Sequence, residues 1–223
     1  MSGLVVLLGG QEHTPGCERI DRRLLRESGV RRPEVAVLLA ASPPRRRAFK
    51  LAQARRYWRQ LGARARCAFT GEVDPIARAT GLLEEADLVV LTGGRPWLLR
   101  ECLQPTGLDA LLRTRWEAGV PISGSSAGAM MLAASTWALQ PRAPFALRPA
   151  LGLVPGVLVA PHAGRHGIDH WAARTQADHP HLDVLGIADQ TAVVVQGGQR
   201  EVVGRGTVQR YGIELQPAAL AVC

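Results

Sequence analysis

The sequence predicts an α/β fold: a three-layer α/β/α sandwich on a mainly parallel sheet, in one domain covering residues 1–223. Three observations predict it. Short apolar runs recur along the chain, of the length of strands buried on both faces. Amphipathic stretches at helical spacing lie between them, so strands and helices alternate. Gly9-Gly10 and Gly93-Gly94 close two of the runs, at strand ends of the kind where open α/β sheets hold ligands.

The elements follow in order. Residues 4–8, LVVLL, read as a buried strand, and 18–28 as a helix with apolar Ile20, Leu24 and Leu25 on one face. Residues 34–41 form a second buried strand. Residues 47–61 form an amphipathic helix stopped by Gly62. A weak strand over 64–69 and a short helix over 74–81 precede DLVVLT, residues 87–92, a strong strand. Thr106 is placed to cap a helix, with Asp109 three residues on and Leu108, Leu111, Leu112 and Trp116 on one face. Gly119 suits its end. Residues 120–123 are a short strand and 127–137 a helix. Residues 139–155 are proline-rich and irregular. Strands over 157–160, 184–188, 192–196 and 201–208, with one helix near 168–177, complete the chain.

Composition narrows the function. The 223 residues are 47% hydrophobic and 21% charged, enough for one sizeable core. No apolar run approaches the roughly 20 residues that cross a bilayer. The start lacks the basic region and cleavage pattern of a signal peptide, so a cytoplasmic location is expected. Cys17, Cys67, Cys102 and Cys223 are scattered and lack zinc-site spacing, so neither metal nor disulfide is expected. The net charge is +8, and of 27 basic residues only Lys50 is lysine. The densest basic stretch, PPRRRAFK at 43–50, has no aromatic-interleaved RNA motif or helix-turn-helix beside it. It reads as the solvated start and polar face of a helix, and nucleic acid is not the expected partner.

The chemistry is concentrated at GSSAG, residues 124–128, which fits G-x-S-x-G with an apolar strand before it and AMML after it. A sharp strand-to-helix turn holds its central residue in a strained conformation, so the neighbours must be small. The side chain then projects from the sheet tip, towards the amide dipoles of the next helix. Ser126 is the candidate nucleophile and the Ala127 amide a candidate oxyanion donor. Ser123 and Ser125 are expected to be packing residues.

A serine hydroxyl needs a base, and the base an orienting acid. His162 is the first polar side chain after the strand at 157–160. His166 and His170 lie beyond it, His179 and His181 flank a proline, and His13 follows Gly9-Gly10. His162 is the chosen base. Asp189 ends the strand at 184–188 and is the candidate acid. The order Ser126, His162, Asp189 argues against the α/β-hydrolases, which place the acid between serine and histidine.

Taken in order, VVLLGGQE, EVAVLLAAS, ADLVVLTGG, GSSAGAMM, GLVPGVLVAPH, LGIADQTAVVV and REVVGRGTV resemble the cyanophycinase and aspartyl dipeptidase family of serine peptidases. The resemblance covers most of the chain. It implies a class I glutamine amidotransferase-like fold, a relative of the flavodoxin-like folds, with serine in place of cysteine. It implies Ser126 as nucleophile, His162 as base, Gly94 as second oxyanion donor and Asp189 where the family usually has glutamate. It also implies a monomer or a homodimer, and no cofactor.

Two departures bear on substrate. Arg95-Pro96 stands where cyanophycinases follow the double glycine with asparagine and glutamine. The histidine sits in APHAG, with Arg165 and His166 beyond, rather than in DQHF. Arg95, Arg165 and His166 are the candidate substrate-binding residues, so cyanophycin itself is not the expected substrate. The leading reading is a serine peptidase or amidohydrolase cutting a small peptide or isopeptide through an acyl-enzyme. The alternative is a non-catalytic module that holds an acidic metabolite or protein partner in the same cleft.

Overall fold

The structure is a computed structural model and describes residues 2–138, 146–165 and 167–211. The first half alternates strands and helices, with two helices between its last two strands: β1 (Val5–Leu8), α1 (Glu18–Glu27), β2 (Glu34–Leu38), α2 (Pro44–Gln60), β3 (Arg64–Ala68), α3 (Pro75–Glu85), β4 (Leu88–Leu91), α4 (Pro96–Leu103), α5 (Leu108–Glu117) and β5 (Ile122–Ser125). Then follow α6 (Ala127–Leu132), β6 (Ala133–Trp137), β7 (Leu147–Pro149), β8 (Val154–Pro161), α7 (Ile168–Asp178), β9 (Asp183–Ile187), β10 (Thr191–Gln196), β11 (Gln199–Gly204) and β12 (Val208–Arg210).

The chain is an α/β sandwich with two sheets among the described residues. The larger has the order β11-β10-β1-β5-β4-β2-β3. Its strands β1 to β5 are parallel to their neighbours, while β10 and β11 add antiparallel beside β1. The uniformly apolar strands β1 and β4 lie inside this sheet and are buried at every residue. β3, which carries arginines, forms an edge. The smaller sheet has the order β12-β9-β8-β6-β7. Helix α6 is buried throughout and packs against β1, β4 and β5 of the larger sheet and β6 and β8 of the smaller.

Several expectations are corrected. The helix expected over 127–137 is α6 followed by strand β6. Small apolar residues are ambiguous between the two, and pairing of β6 with β7 and β8 decides the outcome. The strand expected over 201–208 is two strands in different sheets. Helix α4 was not foreseen: the fixed φ of Pro96 suits a first helical turn, and Leu99 and Leu103 bury its inner face. Thr106 is no N-cap. Its hydroxyl donates to the Cys102 and Leu103 carbonyls, and Gly107, left-handed at φ 75°, precedes α5. Part of the irregular stretch at 139–155 lies outside the described residues. Cys17, Cys67 and Cys102 are free thiols, and among the described residues no helix is long and apolar enough to cross a membrane.

Helices α1 and α2 enclose a buried polar cluster. The Tyr57 hydroxyl donates to Asp21 at 2.5 Å, and the Trp58 indole N–H donates to His13 Nε2 at 3.0 Å. Burial drives the Asp21 carboxyl up to about 7, against the opposing hydrogen bond from Tyr57. A carboxyl raised in the folded state holds a proton that the unfolded chain has lost, so this group's contribution to stability falls as pH rises from about 4 to about 7. Asp21→Asn keeps an acceptor for Tyr57 and removes the charge. Urea unfolding is expected to show it more stable than wild type by about 2–4 kcal/mol at pH 8, with the gap closing near pH 4. A gap independent of pH excludes a buried ionising Asp21.

Candidate active site

The turn from β5 to α6 carries Ser126, the candidate nucleophile. Ser126 has φ 48° and ψ −109°, a conformation that disfavours any residue with a Cβ. Its N–H donates to the Leu8 carbonyl and its carbonyl accepts from Met130 N–H, so the strain is held from both sides. The small neighbours have a direct cause: a Cβ on Gly128 would lie 2.1 Å from the Leu91 oxygen, and one on Gly124 would lie 2.4 Å from the Gly128 carbonyl. Ala127 opens α6, where the first N–H groups have no intrahelical acceptor.

Ser126 Oγ lies 3.0 Å from His162 Nε2, and His162 Nδ1 lies 2.6 Å from Asp189 Oδ1. An Nδ1–H donated to the aspartate leaves the Nε2 lone pair free for the serine hydroxyl. The contact to the shorter acid is direct, and the three residues follow strands of two different sheets. β5 belongs to the larger sheet, β8 and β9 to the smaller, and the sheets meet at Gly9-Gly10. Gly9 O accepts from His162 N–H, Gly9 N–H donates to the Thr191 carbonyl, and Gly10 O accepts from Gln190 N–H. A Cβ on Gly10 would lie 2.3 Å from the His162 ring and 2.4 Å from Asp189 Oδ1. The bare glycine lets imidazole and carboxylate close up, and aspartate reaches without the extra methylene.

Arg165 was expected to face substrate. Its guanidinium instead lies 2.9 Å from Asp189 Oδ2 as an ion pair, not aligned as a hydrogen bond. His166 lies outside the described residues. The other histidines sit elsewhere: His13 is buried against Trp58, His170 lies by Trp171, and His179 lies by His181. Arg95 does line the cleft over Ser126 and His162, its guanidinium 5.3 Å above the Trp97 ring. The cleft encloses about 660 Å³, and Arg45, Arg46 and Phe49 of α2 form part of its wall. The basic stretch at 43–50 is therefore more than a solvated face.

Glu12 was missed. Its carboxylate accepts from Lys50 Nζ at 2.6 Å, Gly93 N–H at 3.0 Å and Ser125 Oγ at 2.7 Å. Burial pushes this carboxyl up, but the Lys50 charge and the bonds from Lys50 and Ser125 outweigh it and hold it down at about 2. The signal available in the sequence was Lys50 itself, the one lysine among 27 basic residues. Ser125, expected only to pack, is thereby a hydrogen-bonding partner. Among the described residues no group of three or more His, Cys, Asp or Glu side chains is placed to hold a metal ion.

The model of peptidase family S51 matches residues 4–203. The chain belongs to peptidase family S51. Members of this family are serine peptidases, and the elbow, histidine and acid described above lie within the matched span. The fold is similar to that of a peptidase from an acI-B1 Actinobacterium, with TM-score 0.81 and 23% identity over 97% of this chain and 93% of that one. It is also similar to a putative peptidase E protein from Listeria monocytogenes EGD-e, with TM-score 0.69 and 20% identity over 92% of this chain and 100% of that one. No curated protein matches this S51 chain.

Proposed function

We propose that this S51 peptidase cleaves a small peptide or isopeptide through an acyl-enzyme on Ser126. The continuous Ser126–His162–Asp189 hydrogen-bond chain carries the reading, at 3.0 and 2.6 Å on a strained elbow. His162 takes the hydroxyl proton as Ser126 attacks the carbonyl. The Gly94 and Ala127 amides hold the oxyanion. His162 then protonates the leaving amine, and water releases the acyl group by the same steps in reverse order. Asp189, braced by Arg165, keeps the imidazole in the accepting tautomer. An assembled relay favours hydrolysis over a binding module, which needs no aligned base. A fluorophosphonate probe is expected to label wild type and leave Ser126→Ala unlabelled. An unlabelled wild type removes the reading.

For substrate, the cleft wall supports a partner carrying a carboxylate near the scissile bond. Arg45, Arg46 and Arg95 line it, and an arginine fork grips a carboxylate bidentately. Arg95→Ala is expected to lower kcat/KM on acidic peptides by about 1.5–3 kcal/mol, with neutral peptides less affected. Equal loss on both in a peptide-library digest takes Arg95 out of recognition.

A further inference from the structure

The Lys50 ammonium does more than neutralise Glu12. It donates to Glu12 Oε1 at 2.6 Å and to the Gly93 carbonyl oxygen at 2.8 Å. The Ser42 hydroxyl approaches the same carbonyl at 3.4 Å. That carbonyl belongs to the peptide unit whose N–H is Gly94's. The unit is planar and trans, so C=O and N–H point in opposite directions. A cation fixed on the oxygen therefore sets where the Gly94 N–H points. It also draws electron density towards the oxygen, which makes the N–H a stronger donor.

The neighbouring units are pinned as well. Gly93 N–H donates to Glu12, and Arg95 N–H donates to the Ala41 carbonyl at 2.8 Å. This turn lies against the nucleophile, since a Cβ on Gly93 would be 3.2 Å from Ser126 Cβ. Glu12 also accepts from Ser125, the residue before the elbow serine. One carboxylate and one ammonium thus join the loop after β1, helix α2, the end of β4 and the elbow.

We infer that Lys50, oriented by Glu12, is a positioning residue that aims and polarises the Gly94 amide of the oxyanion hole through the Gly93 carbonyl. The inference rests on Ser126 as nucleophile. The compact ammonium serves two acceptors on a short reach, at 2.6 and 2.8 Å. A guanidinium is longer and planar. A chain that otherwise uses arginine for every basic position has lysine here.

The test uses p-nitrophenyl acetate hydrolysis and the rate of fluorophosphonate labelling. Lys50→Met is expected to lower kcat about 10–100-fold, a loss short of deleting an oxyanion donor, with KM within about threefold. Lys50→Arg is expected to recover little. Because Lys50→Met leaves Glu12 buried and unpaired, the decisive variant is Glu12→Gln/Lys50→Met, which removes both charges. It is expected to regain thermal stability while kcat and the labelling rate stay low, since Gly93 O still lacks the ammonium and keeps only the longer Ser42 contact. If stability and kcat recover together, the pair is only structural and the inference falls. If wild type labels at Ser126 and either folded variant labels as fast, the inference falls alone. If wild type does not label, it falls with the nucleophile reading.

Discussion

Ser126→Ala is expected to lower kcat by about 10⁴-fold or more while leaving the fold and substrate binding intact. In the proposed mechanism the hydroxyl oxygen forms the acyl bond, so no neighbour replaces it. Residual turnover would come from water held near the Gly94 and Ala127 amides, which still stabilise an oxyanion. The fold survives because the elbow is held by backbone bonds, from Ser126 N–H to Leu8 and from Met130 N–H to Ser126, and these do not use Oγ. Alanine also has a Cβ, so the cost of φ 48° is unchanged. The measurement is kcat on any substrate found by peptide profiling, together with the melting temperature. Activity within tenfold of wild type in the folded variant excludes Ser126 as nucleophile.

Asp189→Asn is expected to cost about 10³–10⁴-fold in kcat with little change in stability. In the proposed relay the Asp189 oxygen 2.6 Å from Nδ1 accepts a hydrogen bond from Nδ1–H, which keeps the Nε2 lone pair facing Ser126. An asparagine can turn its NH₂ to Nδ1, which drives the proton to Nε2 and points it at the hydroxyl that must be deprotonated. Arg165→Ala is expected to act more weakly, within about tenfold, because its guanidinium only braces the far oxygen from a largely exposed position. An Asp189→Asn enzyme keeping more than a tenth of wild-type kcat removes the aspartate from the relay. Equal losses from Asp189→Asn and Arg165→Ala place the effect in local structure instead.

Much of the fold was legible from local chemistry alone. VVLL and LVVL are short, β-branched-rich and apolar at every residue, which reads as strands covered on both faces, and they lie inside the larger sheet. Asp74-Pro75 starts α3 for two local reasons: the aspartate accepts from the Ile76 and Ala77 amides, and proline needs no amide partner there. GSSAG was legible because the elbow's demand for small neighbours is written within five residues. His162 and Asp189 were found as the first polar side chains beyond two buried strands.

The sequence by itself thus determined the alternating elements, the elbow serine and the histidine and aspartate that the structure hydrogen-bonds to it in series. Only the tertiary structure decided that the relay bridges two sheets, that β6 is a strand and that Arg165 turns to Asp189. It also decided that Glu12 and Lys50 meet behind Gly93. The physical reason is distance along the chain. Strand burial, helix caps and sharp turns are decided by neighbours a few residues away. Glu12 reaches Lys50, Gly93 and Ser125 across 38, 81 and 113 positions, and no local pattern encodes those bonds. The Gly9-Gly10 seam is of the same kind. Its glycines read as a turn in the sequence, but their use is to let a histidine and an aspartate from another sheet come within 2.6 Å of each other.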